Sequence, residues 1–319
     1  MSASEQGPVP TGTRPLPVDG RSLHNDRSIA SEAAVTTLRY EKDLQTRKID
    51  LVLALYVEPA DQDYLTARWA FGNGIFYAFY HAAAQAFEKY AKATLLLSDQ
   101  DTRGYGHDLM KLHEAVVVLD RRGLMPTAFD LPETTAMGRE AWQGKEVALF
   151  TDYLRQYGSP DNRYGIHGTF VNGPVLHALD IVCVAFRRIM RVVNMTGEDL
   201  FEVRNAQVGF YDRVDEPCDW MIDPRTLLEQ LFIGRYSVGQ SSALRRQFLN
   251  MNLAFSAERD ENERTFGGQH FHGSPLHNQL VRLGELDPSE ENRATIAELR
   301  AWARDRIHIS APIRRQLGF

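Results

Sequence analysis

The chain holds 319 residues, 43% of them hydrophobic and 24% charged, an ordinary globular composition with length enough for two domains and a sizeable core. Its net charge of -6 disfavours a protein that coats DNA or RNA by bulk electrostatics, because that mode needs an excess of Lys and Arg to neutralise phosphates. The two cysteines, Cys183 and Cys218, form neither a disulfide framework nor a metal spacing, which fits a reducing cytoplasm.

Residues 1–30 are rich in Pro, Gly, Ser and Thr and offer little to bury, so a flexible tail is expected there. They carry neither a basic n-region nor an apolar h-region. No segment of the chain reaches about 18 consecutive apolar residues, so neither secretion nor a membrane span is expected. Helical patterning begins near Ser31 and runs to Tyr56, with Pro59 as its stop and Asp61 or Asp63 as the cap of the next helix. Gly72-Asn73-Gly74 then separates helices expected over 64–71 and 75–98. In the second of these, Phe76, Phe79, Tyr80, Ala83, Ala86, Phe87, Tyr90, Thr94 and Leu97 recur in steps of three and four, the mark of one buried face. His81, Gln85, Glu88, Lys89 and Lys92 take the opposite face, and Glu88 precedes Lys92 by four residues, the favourable order for an ion pair.

A polar loop over 99–106 leads to a helix over 107–122 that turns Leu109, Leu112, Val116 and Leu119 inward and stops at Gly123. Helices over 139–157 and 174–193 follow, on either side of the turn SPDNRYG. The apolar residues of the second spread widely enough to imply burial over much of its surface. Residues 196–224 admit a short hairpin around Phe210 and Tyr211, and helical periods return over 226–233, 241–255, 276–286 and 292–309. With no internal repeat and no β-α alternation, the expected fold class is all-α, an antiparallel helical bundle with an additional C-terminal helical region. Its parts are a tail over 1–30, the bundle over 31–195, a connecting segment over 196–225 and a C-terminal helical module over 226–319.

The wording QAFEKYAKATLLL, a loop, then GHDLMKL resembles the helix, loop and helix signature of HEPN domains, with the likeness covering residues 44–195, about half of the chain. That family contains ribonucleases and also members without known cleavage activity. Its ribonucleases carry an Arg and His pair in the loop before the last bundle helix, where this chain has Asn162-Arg163-Tyr164-Gly165-Ile166-His167. The position matches, but only three residues separate Arg163 from His167, fewer than in the family's catalytic pattern, and Tyr164 follows the arginine where a polar residue is usual. An Arg-Tyr pair here resembles members without demonstrated nuclease activity. The resemblance also implies a homodimer with Arg163 and His167 near its two-fold axis.

Chemically the pair is sufficient for metal-free RNA cleavage: a histidine moves the proton of the 2'-hydroxyl and an arginine fork stabilises the phosphorane. Three readings follow. In the leading one the protein is a non-catalytic interaction or nucleotide- or RNA-binding protein, with Arg163 held by a bundle carboxylate such as Glu88 or Asp180. In the second it is a metal-independent endoribonuclease of toxin or defence type using Arg163 and His167. In the third it is a structural dimerisation module. Asn162, Tyr164, Glu88, Lys89 and His107 are the further candidate binding residues, although capping explains Gly106-His107-Asp108 and a solvated helix face explains Glu88 and Lys89. Arg187, Arg188 and Arg191 are read as cations complementing the end of the last bundle helix. His270, His272 and His277 have the atoms for zinc but no defining pattern, so neither a metal nor any other cofactor is expected. GxxxxGK[ST], strand-borne GxGxxG and GxSxG motifs are absent, which sets aside nucleotide hydrolysis, dinucleotide redox chemistry and serine hydrolysis.

Overall fold

The computed structural model describes residues 44–130, 146–160, 162, 165–166, 168–171, 174–234, 240–255, 270–272, 277, 281–282, 285, 288–306 and 314–315. Its fold class is all-α. Helix α1 (Leu44–Val52) continues through a wide π turn (Leu53–Val57) into α2 (Glu58–Gly72). Pro59, expected to stop the chain, instead sits in the first turn of α2. Within a regular helix its ring would meet the Leu55 carbonyl, and the wide turn, closed by Glu58 N donating to Leu53 O, gives it room.

Asn73 and the left-handed Gly74 (φ 71°) turn the chain back into α3 (Phe76–Leu97), where Ile75 N donates to Ala70 O at 2.8 Å. The pair is antiparallel: Phe71 packs on Phe76 and Phe79, while at the far end Lys89 meets Asp63. All nine apolar positions expected on α3 are buried, and Ala82, Ala84, Ala91 and Ala93 are buried as well, so α3 is covered on most sides. Each buried Phe contributes on the order of 1.5–3 kcal/mol, against a few tenths, roughly, for the Glu88–Lys92 ion pair; apolar burial therefore decides the position of this helix.

Against α3 lie α4 (Leu109–Leu119), α5 (Val147–Tyr157) and α6 (Pro174–Val192). Asp108 caps α4 by accepting from Lys111 N at 3.2 Å, as the GHD wording implies. α6 runs parallel to α3, with Phe186 edge-on to Phe87 and Ser98 Oγ donating to Val193 O. The helix expected over 139–157 is described only from Val147 onward. Strand β1 (Thr169–Val171) pairs antiparallel with β2 (His270–His272), Val171 facing His270, a small pairing that the helical period gave no hint of.

After α6, Asp199 caps α7 (Leu200–Gln207), and Phe210–Asp212 forms a 3-10 turn. This corrects the hairpin expected around Phe210 and Tyr211. The Asp199 carboxylate accepts from Glu202 N and pairs with Arg191, which starts α7, and past its end the strand-forming aromatics lie in the 3-10 turn instead of extended chain. Helices α8 (Leu227–Ile233) and α9 (Gln240–Leu249) pack on α2, and Trp220, Leu228, Phe248 and Phe255 belong to the same buried core. Helix α10 (Glu290–Arg306) follows, with Glu290 and Glu291 in its first turn. No helix of the described residues is long and apolar enough to cross a membrane.

The end of α5 approaches α3 tightly at Gly158, where an added Cβ would stand 2.5 Å from both Ala84 Cβ and Tyr80 O. Since the latter is backbone, α5 has to shift to admit a methyl. Gly158→Ala is expected to cost about 1–3 kcal/mol in urea denaturation.

Candidate functional site

The turn between α5 and β1 is tied at both ends. The Asn162 side chain is buried, and its amide donates to Tyr157 O and to Gly168 O, both at 3.0 Å. Gly165 (φ 69°) lies so close to α3 that an added Cβ would sit 2.8 Å from Tyr77 Oη, and Gly168 N closes back on Gly165 O. The side chain of Asn162 is thus a loop clamp. Arg163, Tyr164 and His167 lie outside the described residues. Of the two carboxylates considered as partners for Arg163, Glu88 holds His107 and Lys92, and Asp180 accepts from Arg68 and Tyr64 through Oδ1 while its buried Oδ2 has no hydrogen-bond partner among the described residues.

The candidates on α3 come together in two pairs. Glu88 is buried and reaches His107 Nδ1 at 3.0 Å through each carboxylate oxygen, while Lys92 Nζ stands 2.6 Å from Oε1. The His107 ring is 87% exposed and arrives from the turn that Gly106 (φ 55°) opens. Lys89, one residue on from Glu88, points the other way and pairs with Asp63. The Glu88–His107 contact joins the two halves of the α3 to α4 motif, while Lys89–Asp63 ties α3 to α2. His270 and His272 lie on β2, and His277 is exposed; among the described residues no group of His, Cys, Asp and Glu is arranged to hold a metal ion.

A larger polar assembly lies in the core, and the sequence reading missed it. Asp61, expected as a cap, is fully buried between Arg187 of α6, whose Nη1 is 2.5 Å away, and the Tyr90 hydroxyl of α3. Arg187 also holds Glu229 of α8, and Glu229 accepts from Ile222 N at 2.7 Å and from Thr226 Oγ1. Seven residues along each helix, Arg68 pairs with Asp180, which also accepts from Tyr64 Oη at 2.6 Å. Arg68 then donates to the carbonyls of Gln247 and Asn250. The signal was present as the seven-residue spacings Asp61/Arg68 and Asp180/Arg187 inside otherwise apolar faces. Arg187 is therefore not a helix-end cation, and Arg191 and Arg188 are engaged with Asp199 and Asp219.

Three carboxylates and two arginines leave this assembly one negative charge in excess. Burial, reinforced by Glu229, raises Asp61 to about 7 against the opposing pull of Arg187. Burial likewise pushes the Tyr64 and Tyr90 phenols and the Cys183 thiol well above their ordinary values, so none of them is a ready nucleophile. Burial works against the charge on Arg187 and Arg68, yet their carboxylate partners outweigh it and hold both fully protonated. The assembly joins α2, α3, α6 and α8, and its geometry is that of a structural tie. In comparisons with known proteins, no family model, curated sequence or solved structure matches the chain.

Proposed function

We propose that the protein is a HEPN-like, non-catalytic interaction module that takes RNA or a nucleotide at the loop over 162–168. The observation that carries the non-catalytic part is the pairing on α3: Glu88 occupies Lys92 and His107, and Asp63 occupies Lys89. A cleaving site directs its polar groups at a phosphorane, whereas Lys89, Lys92 and His107 are turned to carboxylates of the same chain; Arg163 and His167 lie outside the described residues. The family likeness rests on QAFEKYAKATLLL and GHDLMKL, which lie on the packed helices α3 and α4 and their junction. The loop itself is pre-ordered at Asn162 and Gly165, and a pre-ordered loop loses less entropy when a ligand arrives.

The test is a fluorescence-anisotropy titration of a labelled single-stranded RNA. Binding by the wild type is expected to weaken about tenfold in Arg163→Ala, the change for losing one charge-assisted phosphate contact. Asn162→Ala, which takes a donor from the half-buried Tyr157 carbonyl and the buried Gly168 carbonyl, is expected to weaken binding too and to cost about 1–3 kcal/mol of stability. Binding that is indifferent to both substitutions would remove the loop from the account.

A further inference from the structure

The 3-10 turn Phe210–Asp212 presents two adjacent aromatic side chains to solvent, Phe210 at 87% and Tyr211 at 89% exposure. The turn is held firmly at its base. Asn205 Nδ2 donates to Val214 O at 3.1 Å, and Val214 N returns a bond to Asn205 Oδ1 at 3.0 Å. The rings are edge-on with centroids 5.7 Å apart, so they form one projecting knob. Each such ring buries about 150–250 Å² when covered, and aromatic residues are the usual anchors of protein interfaces. Exposed charges flank the knob: Asp212, Asp215 and Glu216 against Arg213, with Arg225, held mainly by Asp223, also within electrostatic reach of Asp212.

A cavity of about 550 Å³ opens between α2 and α9, lined mainly by Leu65, Trp69, Leu227 and Leu244 with the neutral polar ends of Gln62 and Gln247. Trp69 and Leu244 are large apolar side chains left exposed there. Among the described residues that line it none is ionisable, so the occupant it suits is apolar and uncharged. Beside it, exposed Arg245 and Arg246 make the α9 rim basic, while on the α2 side the charge of Asp63 is cancelled by Lys89. Among the described residues one chain thus presents both an aromatic knob with an acidic flank and an apolar cavity with a basic rim.

We infer that the two are complementary, and that the Phe210–Tyr211 turn of one molecule seats in the Trp69–Leu244 cavity of a second copy. The charges favour this occupant, since the acidic flank meets the basic rim, whereas the same flank repels an anionic lipid surface. The contact joins two different patches, so the assembly is a reciprocal dimer or a ring where the rotation closes and an open chain of copies where it does not. It goes beyond the RNA-binding reading and uses no residue of the 162–168 loop; either can fail alone.

The experiment is a sedimentation-velocity concentration series on the full chain at low ionic strength. The wild type is expected to self-associate, less so as salt is raised. Phe210→Ser with Tyr211→Ser is expected to weaken association at least about tenfold with an unchanged circular dichroism spectrum. Glu216→Arg and Arg246→Glu are each expected to weaken it several-fold, and their combination to restore it, a rescue that a merely structural effect would not produce. A wild type that stays monomeric throughout the series overturns the inference and leaves the cavity to another kind of ligand. Association that survives loss of both aromatic rings, or charge swaps that do not rescue each other, overturns it as well.

Discussion

Replacing Arg187 with methionine is expected to cost about 3–5 kcal/mol, the largest loss from any single substitution considered for this protein. The guanidinium is fully buried between Asp61 and Glu229, with Trp220 stacked 5.5 Å from its centre. Without it, two carboxylates remain in the core with no cation between them. Methionine fills much of the volume, so the loss is electrostatic rather than a cavity effect. The penalty comes from stranded partners, hence Arg187→Met combined with Asp61→Asn and Glu229→Gln is expected to recover part of it. Urea denaturation of the wild type, the single variant and the combined variant measures this, and amide exchange should show α8 loosening first, because Glu229 anchors it to α6. A loss below about 1 kcal/mol for the single substitution would mean that the ion pairs contribute little to the fold.

Asp61 gives the second large effect, in the pH dependence of stability. Its pKa in the folded protein is about 7, against an ordinary 3.8, and the groups facing it are Arg187, Glu229, Tyr90 and the backbone of Leu228. Between these values the folded protein keeps a proton that the unfolded chain has released. The stability this proton contributes is full below pH 3.8 and is lost as pH rises through about 7. A shift of that size corresponds to on the order of 4 kcal/mol across the window. Asp61→Asn leaves Arg187 balanced by Glu229 alone and removes the titration. The difference in unfolding free energy between wild type and Asp61→Asn should therefore slope with pH across this interval, the wild type losing ground as pH rises. Parallel profiles would show that Asp61 is ionised throughout. Asp223 does not confuse the comparison: Arg225 and Arg204 overcome its burial and lower its pKa, and both proteins retain it.

How far these features were legible in the chain depends on the range of the contact that makes them. The buried face of α3 was readable residue by residue, since nine apolar positions in steps of three and four have one geometric meaning. The Asp108 cap was readable for the same reason, as its partner is three residues away. Asp61 was not. A local reading assigns an acid near a helix start to capping, whereas its cation stands 126 residues along the chain. Pro59 misled because its cost depends on whether the turn before it is regular or wide. Phe210 and Tyr211 looked like strand because aromatic residues favour sheets when half-buried, but here they project from a turn.

Within the candidate site, Glu88, Lys89 and His107 were readable as members of a motif, but not as paired groups. Nothing in their spacing says that Glu88 closes on His107 across the loop while Lys89 turns to Asp63 on α2. Asn162 was named as a binding residue, and its spacing gave no sign that its buried amide ties the loop to Tyr157 O and Gly168 O.

The most direct test of the proposed non-catalytic function is incubation of a mixed structured and single-stranded RNA pool with the wild-type protein in EDTA, beside folded Arg163→Ala and His167→Ala variants. The account predicts intact RNA with all three proteins. Fragments with cyclic-phosphate ends that appear with the wild type and vanish in both variants would contradict it and establish a metal-independent ribonuclease.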